Sequence, residues 1–564
     1  MKKIVAIAFL LCFGKVWAQT APETFYILFS DKINTPYSLD SPQAFLSQKS
    51  IDRRIQWNIP LEWKDLPVDP AYVNQVLEIG DCHLHHTSKW FNSATIIIDD
   101  TLRRQEILDY INGLDFVSEI KKLNQNPTLL HQNKWNVEEE KKYEELPKVE
   151  LLNEYEKLYG PSFVQVSMLN LHPLHQLNYT GEGIEIAVFD AGWDKANILP
   201  VFDRLRQREA IVETRDFVFP GNTDVYNISN HGTFVLSTMA GWMPDSLIGT
   251  APNARYHLFR TEYSPTEFLV EEDNWVAAAE YADSIGIDII NSSLGYSTFD
   301  DETMNHTYAD MDGNTTRASI AADIAASKGI LVVNSAGNSG ASSWRYITAP
   351  SDGDSVLCVG AVNAQRIKAP FSSFGPSSDG DVKPNVMAMG QATVFAALDS
   401  TIQTGNGTSF SSPIMAGAAA CLMQASGGKK SNMEIFRAIE RSANYYNAPS
   451  DSLGYGIPDF WKALQIMNFE WDDNFDKKLI SVYPNPTINE LKFTTEWLLG
   501  FDRIDYSIYN SQGKLVFQGN GMLSASGMDT VHTIHWPEGL LSKDVYTIFI
   551  STSKESRSAR FVVE

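Results

Sequence analysis

Cysteine is scarce: the chain carries only Cys12, Cys82, Cys358 and Cys421. They are too few and too widely spaced for a disulfide framework or a thiolate metal site. Cys358 in "SVLCVGAV" and Cys421 in an Ala-rich run read instead as small buried hydrophobes. Positive charge is also short. Lys and Arg number 45 against 69 Asp and Glu, a formal net charge of −24. That balance argues against nucleic acid and anionic membrane surfaces as main partners. Beyond the N-terminal leader no apolar run is long enough for a transmembrane helix. No internal repeat recurs at a solenoid period.

With those classes set aside, 564 residues are too many for one hydrophobic core, so several domains are expected. "MKK", the apolar "IVAIAFLLCF" and the exit "VWA" form a secretory signal peptide over residues 1–18, too short in its apolar core to span a bilayer. Residues 19–124 alternate strand-like pieces ("ETFYILFS", "SATIIID") with helical ones ("SPQAFLSQKSIDRRIQW", "LRRQEILDYINGL"), a small α+β unit. The first helix is expected to start at Ser41-Pro42. Residues 125–160 lose apolar periodicity and read as a charged tether and processing region. Residues 161–470 carry buried strands such as "IEIAVFD", "RYHLFRT", "GIDIINSS", "GILVVNSA" and "SVLCVGAV", separated by helices that end in Gly. That order predicts a mostly parallel α/β sheet covered by helices on both faces. Residues 473–564 switch to short alternating strands with turn signals, including "NSQGK", and predict a β-sandwich.

Active sites of open parallel sheets lie beyond the carboxyl ends of the strands. Asp190 ends "IEIAVFD", His231 opens "HGTFVLSTMAGW", and Ser409 opens "SFSSPIMAGAAACLMQ" behind Gly405 and Gly407. Singly, each is as well explained as a turn, a loop residue or a helix cap. Together they are a nucleophile, a base and the group that orients the base. A helix start at Ser409 adds an N–H and a positive dipole end where oxyanion charge develops. Pro413 is expected in the first turn or so, where proline is cheapest. Asn338 in "VVNSAGNSG" could aim its amide at the same oxyanion; taken alone it reads as a left-handed turn residue.

The ordered motifs "IAVFDAG", "NHGTFVLSTMAG", "GTAPNARYHLFR", "NSSLG", "SAGNSG", "PFSSFGPSSDGDVKPNVMAMG" and "GTSFSSP" resemble those of the subtilisin-like serine peptidases, the subtilases or peptidase family S8. The Asp…His…Ser order is that family's order. The resemblance implies a subtilisin-like fold and a triad of Asp190, His231 and Ser409, with Asn338 in the oxyanion hole. It also implies that Ser293, Leu294 and Gly295 line the P1 pocket and pair with substrate backbone. No cofactor is required for such chemistry and no metal ligand is assigned. Structural calcium is compatible with the family, but the Asp-rich segment 297–317 matches no recognised calcium loop and reads as solvated. Departures from the family pattern are Ala191, Phe234 and Asn385; Trp193 and Phe234 are placed to narrow the site.

The unit at 19–124 resembles a subtilase inhibitory propeptide in position and element order. The tail, through "VYPNPTINELKF" and "IYNSQGKLV", resembles the C-terminal sorting domain of the type IX secretion system of Bacteroidetes. The expected protein is therefore a secreted or surface serine endopeptidase made as a proenzyme. Its expected partners are polypeptide substrates and the type IX machinery. The alternative is a catalytically silent subtilase-fold surface protein that binds peptides.

Overall fold

The computed structural model describes residues 23–124, 154–468, 482–483, 487–494, 503–510, 514–522, 531–537, 539–551 and 556–563. The expected signal peptide and most of the expected tether lie outside these residues.

The N-terminal unit is an antiparallel sheet of β1 (Glu23–Phe29), β2 (Cys82–Ser88), β3 (Ser93–Ile98) and β4 (Val117–Lys122), ordered β2-β3-β1-β4. The run "ETFYILF" lacks polar alternation because both of its faces are covered. Phe25, Ile27 and Phe29 join the unit's own core with Ile96, Ile107 and Ile111. Tyr26 and Leu28 point the other way and pack with Trp275 of the following unit. Helix α1 (Gln48–Trp57) starts at Ser47, whose Oγ accepts the Ser50 N–H at 3.2 Å. The expected start at Ser41 fails because residues 42–44 form only a single 3-10 turn.

The main sheet of the central unit has seven strands: β5 (Glu185–Asp190), β6 (Ile211–Asp216), β7 (Arg255–Arg260), β8 (Ile289–Ser292), β9 (Leu331–Ser335), β10 (Val356–Val362) and β11 (Val386–Met389). They are ordered β11-β10-β9-β8-β5-β7-β6, and every pair is parallel. From β5 the chain first builds toward β6 and then crosses to β8. The order thus reverses at the β5/β8 seam, where such sheets place their crevice. Helices α2 (His231–Ala240), α3 (Val270–Ile285), α4 (Arg317–Ser327) and α5 (Thr408–Ser426) cover the faces. Two core clusters result, one with α2 and α5, the other with α3 and α4. Gly286, at φ 89°, ends α3 in the left-handed conformation. The unit begins earlier than residue 161: Tyr159 is buried in its core and its hydroxyl bonds His175 Nδ1 at 2.5 Å. Among the described residues no helix is long and apolar enough to cross a membrane, and Cys82, Cys358 and Cys421 are free thiols.

The C-terminal residues form a three-stranded and a four-stranded antiparallel sheet. Their shared core includes Leu491, Phe493, Ile508, Trp536, Ile548 and Phe561. In "NSQGK" the Asn510 N–H donates to the Lys514 carbonyl at 3.0 Å; residues 511–513 lie outside the described set.

The N-terminal sheet docks on α3 through buried charge. One carboxylate, Asp283, fully buried, accepts from Arg53 at 3.2 Å, Arg54 at 2.9 Å and Lys89 at 3.2 Å. Arg54 also reaches Asp65 at 3.0 Å, and Lys328 crosses back to Asp65 at 3.2 Å. Burial alone would raise the Asp283 carboxyl, but Lys89, Arg54 and Arg53 outweigh it and hold the group well below the usual range. Removing such a carboxylate strands three cations. Asp283→Ala in an uncleaved Ser409→Ala chain is expected to lose about 3–5 kcal/mol of domain-docking stability, read as early unfolding of the N-terminal unit in denaturant titration followed by hydrogen exchange.

Candidate active site

Asp190 is the last residue of β5, and its Oδ1 accepts the Ala191 N–H at 2.7 Å. His231 is the first residue of α2, with Nδ1 2.9 Å from both Asp190 oxygens. Nδ1–H therefore donates to the carboxylate, which leaves Nε2 as the basic nitrogen. Asp190 is 0% exposed, His231 4% and Ser409 6%, so the Asp190–His231 pair lies in a low-dielectric pocket while the histidine edge and serine keep contact with the surface. The turn after Asp190 and the start of α2 are in close contact. A Cβ on Gly232 would fall 2.5 Å from the Gly192 carbonyl oxygen and 2.8 Å from Trp193 Nε1, so only glycine lets α2 begin there.

Ser409 is the second residue of α5. Gly407 precedes the helix at φ 153° and has no side chain to cap it. Asn338, in the loop after β9, supplies the cap from outside. Its Oδ1 accepts the Thr408 N–H and the Thr408 hydroxyl, each at 2.9 Å. With the oxygen held, the amide nitrogen is the free end. Nδ2 lies 3.7 Å from the point where a Gly407 Cβ would be, and the Ser409 backbone N lies at the same distance. Two N–H donors thus converge on the open side of Gly407. The left-handed turn expected at Asn338 on sequence grounds does not occur there; the positive φ falls on Gly337, at 97°.

Pro413 is the sixth residue of α5, inside the helix and four residues after Ser409. It has no N–H to return to the Ser409 carbonyl. The Ser293 hydroxyl takes that place, donating to the Ser409 oxygen at 3.0 Å. Ser293 follows β8, so the expected substrate-pairing edge and the helix of Ser409 are directly bonded. Ser293 and Leu294 are buried, whereas Gly295 is exposed and keeps its backbone open to a ligand.

Phe234 and Trp193 do not narrow the cleft: they are 1% and 0% exposed. The Phe234 ring lies 4.6 Å from Phe395, which stacks on Phe410 at 5.2 Å. That pile ties α2, which carries His231, to α5, which carries Ser409. The roles of Thr408 and Phe395 escaped sequence reading. The spacing Ser409 to Pro413 was the one local signal that a carbonyl there needs an outside donor.

Segment 297–317 is not merely solvated. Met311 is buried in the α3/α4 core, and His306 Nε2 bonds Glu272 at 2.6 Å. Among the described residues, Glu262, Glu267 and Glu271 offer carboxylate oxygens within 4.8 Å of one another. Two of them already accept from protein donors: Glu262 from the Tyr296 hydroxyl, and Glu271 from the Tyr263 and Phe268 N–H groups. The arrangement is equally a bracing of the loop after β7.

The Ser293–Ser409 bond makes a double-variant test. Ser293→Ala leaves a buried carbonyl without a donor and is expected to cost about 1–3 kcal/mol. Pro413→Ala returns a helical N–H to the same oxygen. In urea unfolding the Ser293→Ala loss is therefore expected to shrink in the Pro413→Ala background; equal losses in both backgrounds would refute the assignment.

Comparison with known proteins finds a family match for each of the three units. Residues 181–456 match the subtilase family, residues 24–139 the peptidase S8 propeptide domain of Bacteroidota, and residues 481–564 a secretion system C-terminal sorting domain. Subtilisin NAT of Bacillus subtilis subsp. natto is 30% identical over 284 residues, 50% of this chain and 65% of that protein. A subtilisin of Bacillus pumilus is 29% identical over 304 residues, 53% of this chain and 98% of that protein. The solved prenylagaramide maturation protease PagA is 23% identical, covering 52% of this chain and 98% of its own, with a TM-score of 0.42. By these matches the central unit resembles the subtilase family of serine peptidases, set between a domain similar to the Bacteroidota S8 propeptide domain and one similar to a secretion system C-terminal sorting domain.

Proposed function

We propose that this chain is made as a proenzyme and hydrolyses peptide bonds as a serine endopeptidase. The observation that carries the reading is the pairing of a buried Asp190–His231 couple with a helix-borne serine flanked by two N–H donors. Ser409 Oγ attacks the scissile carbonyl while His231 Nε2 takes its proton. Asp190 holds the imidazole tautomer and stabilises the imidazolium. The carbonyl oxygen gains charge and is met by the Ser409 N–H and Asn338 Nδ2. His231 returns the proton to the leaving amine, giving an acyl-enzyme on Ser409. A water, deprotonated by His231, then releases the acid product. An extended substrate would pair its backbone with the open edge at Gly295, its P1 side chain lying beside Ser293 and Leu294. None of these steps needs a cofactor.

The N-terminal domain covers α3 and would hold the precursor inactive until the 125–153 segment is cut. The sorting domain would engage the type IX machinery.

The deciding experiment compares gel mobility of the chain, without leader and tail, with its Ser409→Ala variant. The parent is expected to split within 125–153 and the variant to stay whole. If both stay whole and neither cleaves casein, the silent peptide-binding scaffold replaces this reading. In the active enzyme, Asn338→Ala is expected to lower kcat about 10²–10³-fold with little change in KM.

A further inference from the structure

Two adjacent histidines on β2 face the central unit together. Successive strand residues normally point to opposite faces, but the β2–β3 register shifts between Leu84 and His86. That bulge turns both rings the same way, and they lie 4.1 Å apart between centroids. His85 Nε2–H donates to Asn274 Oδ1 on α3 at 2.9 Å. The direction is fixed because the Asn274 amide nitrogen donates to the Thr261 carbonyl at 3.2 Å. His86 Nε2–H donates to the Phe217 carbonyl at 2.7 Å. Both bonds across the domain seam are therefore complete with neutral rings.

The surroundings offer little to stabilise a positive charge. On β2 itself His83, paired with Asp99, adds repulsion rather than support. On α3, Asp273 is taken by Thr95 and Arg317, and Glu280 by Ser88 and the N–H groups of Lys89 and Trp90; Tyr281 bonds Glu213. Beyond Phe217, Asp216 is held by Arg260 at 2.8 Å. Burial pushes the His85 imidazole down to about 4 and, helped by repulsion from His85, the His86 imidazole down to about 3.

We propose that the His85–His86 pair is a proton-operated latch: acidification weakens the hold of the N-terminal domain on the catalytic unit and so promotes its release. The idea rests on the proenzyme reading above. The sign follows from linkage. The rings are depressed in the docked state and ordinary once released, so docking is at full strength above about pH 6.5 and is lost as pH falls toward the docked values. Each ring weakens docking about tenfold per pH unit within that window, or about 100-fold for the pair between pH 7.5 and 5.5. Asp273 and Glu280 are raised by burial and oppose this trend, so the rings must be isolated by substitution.

The test uses the Ser409→Ala chain with a site for an unrelated protease placed in 125–153 and cut, so no step depends on proteolysis by the protein itself. Dissociation of the nicked complex is measured at pH 7.5, 6.5 and 5.5 by dilution and size exclusion. The expected result is a dissociation constant about 100-fold higher at pH 5.5, with the slope flattened in His85→Gln/His86→Gln, whose amides keep a donor. An unchanged slope in that variant, or no pH dependence in the parent, overturns the latch. Should the variant misfold, NMR titration of the ring protons in the uncut Ser409→Ala chain decides: midpoints near 3–4 support the latch, and midpoints near 6.5 refute it.

Discussion

A helix that starts inside a protein leaves N–H groups to be satisfied, and the site is organised by how α5 solves that problem. Its first residues are buried, and Gly407 brings no capping side chain. Asn338 caps from another loop, which fixes its own amide in the same act. The Ser409 backbone nitrogen and that amide nitrogen then lie beside the same open side of Gly407. Pro413 creates the complementary vacancy at a carbonyl, and Ser293 fills it. Two backbone irregularities at one helix end thus bind the loops after β8 and β9 to the serine helix. Positioning of these groups follows from hydrogen-bond satisfaction.

The sheet supplies the remaining convergence. Asp190 ends β5 and Ser293 follows β8, its neighbour across the seam where strand order reverses. Helix α3 connects this edge to the N-terminal domain. One side of it sends Trp275 Nε1–H to Ser292 Oγ at 3.1 Å, at the end of β8. Its other side carries Glu280 and Asp283 into the docking seam. The domain that covers α3 therefore rests on the same helix that braces the end of β8.

Most of the parallel sheet was legible because buried strands read as continuous apolar runs, as in "IEIAVFD" and "SVLCVGAV". Strand β6 was not, since "IVETRD" lies at the sheet edge and alternates charge with apolar residues. The order of Asp190, His231 and Ser409 was legible through motif spacing. The capping role of Asn338 was not legible, because its partner Thr408 is seventy residues away in sequence. Phe234 was misplaced in the cleft because its partners Phe395 and Phe410 are joined to it only in the fold. The charged stripe of α3 was not legible as a docking face, since nothing local says that a second domain will cover it.

That stripe explains why the docking seam uses ions rather than a larger apolar surface. A buried ion pair contributes less net stability than a well-packed apolar contact of similar size. An apolar α3 face would, however, become an exposed patch once the domain left, and such patches drive association. Asp273, Glu280 and Asp283 return to water as ordinary carboxylates, and Arg53, Arg54 and Lys89 do the same on the departing domain. The cost of burying charge is offset while docked by convergence of three cations on Asp283, and it disappears on release. A seam of this kind can be tight and still separate into two soluble surfaces, which suits the release proposed above for the covering domain.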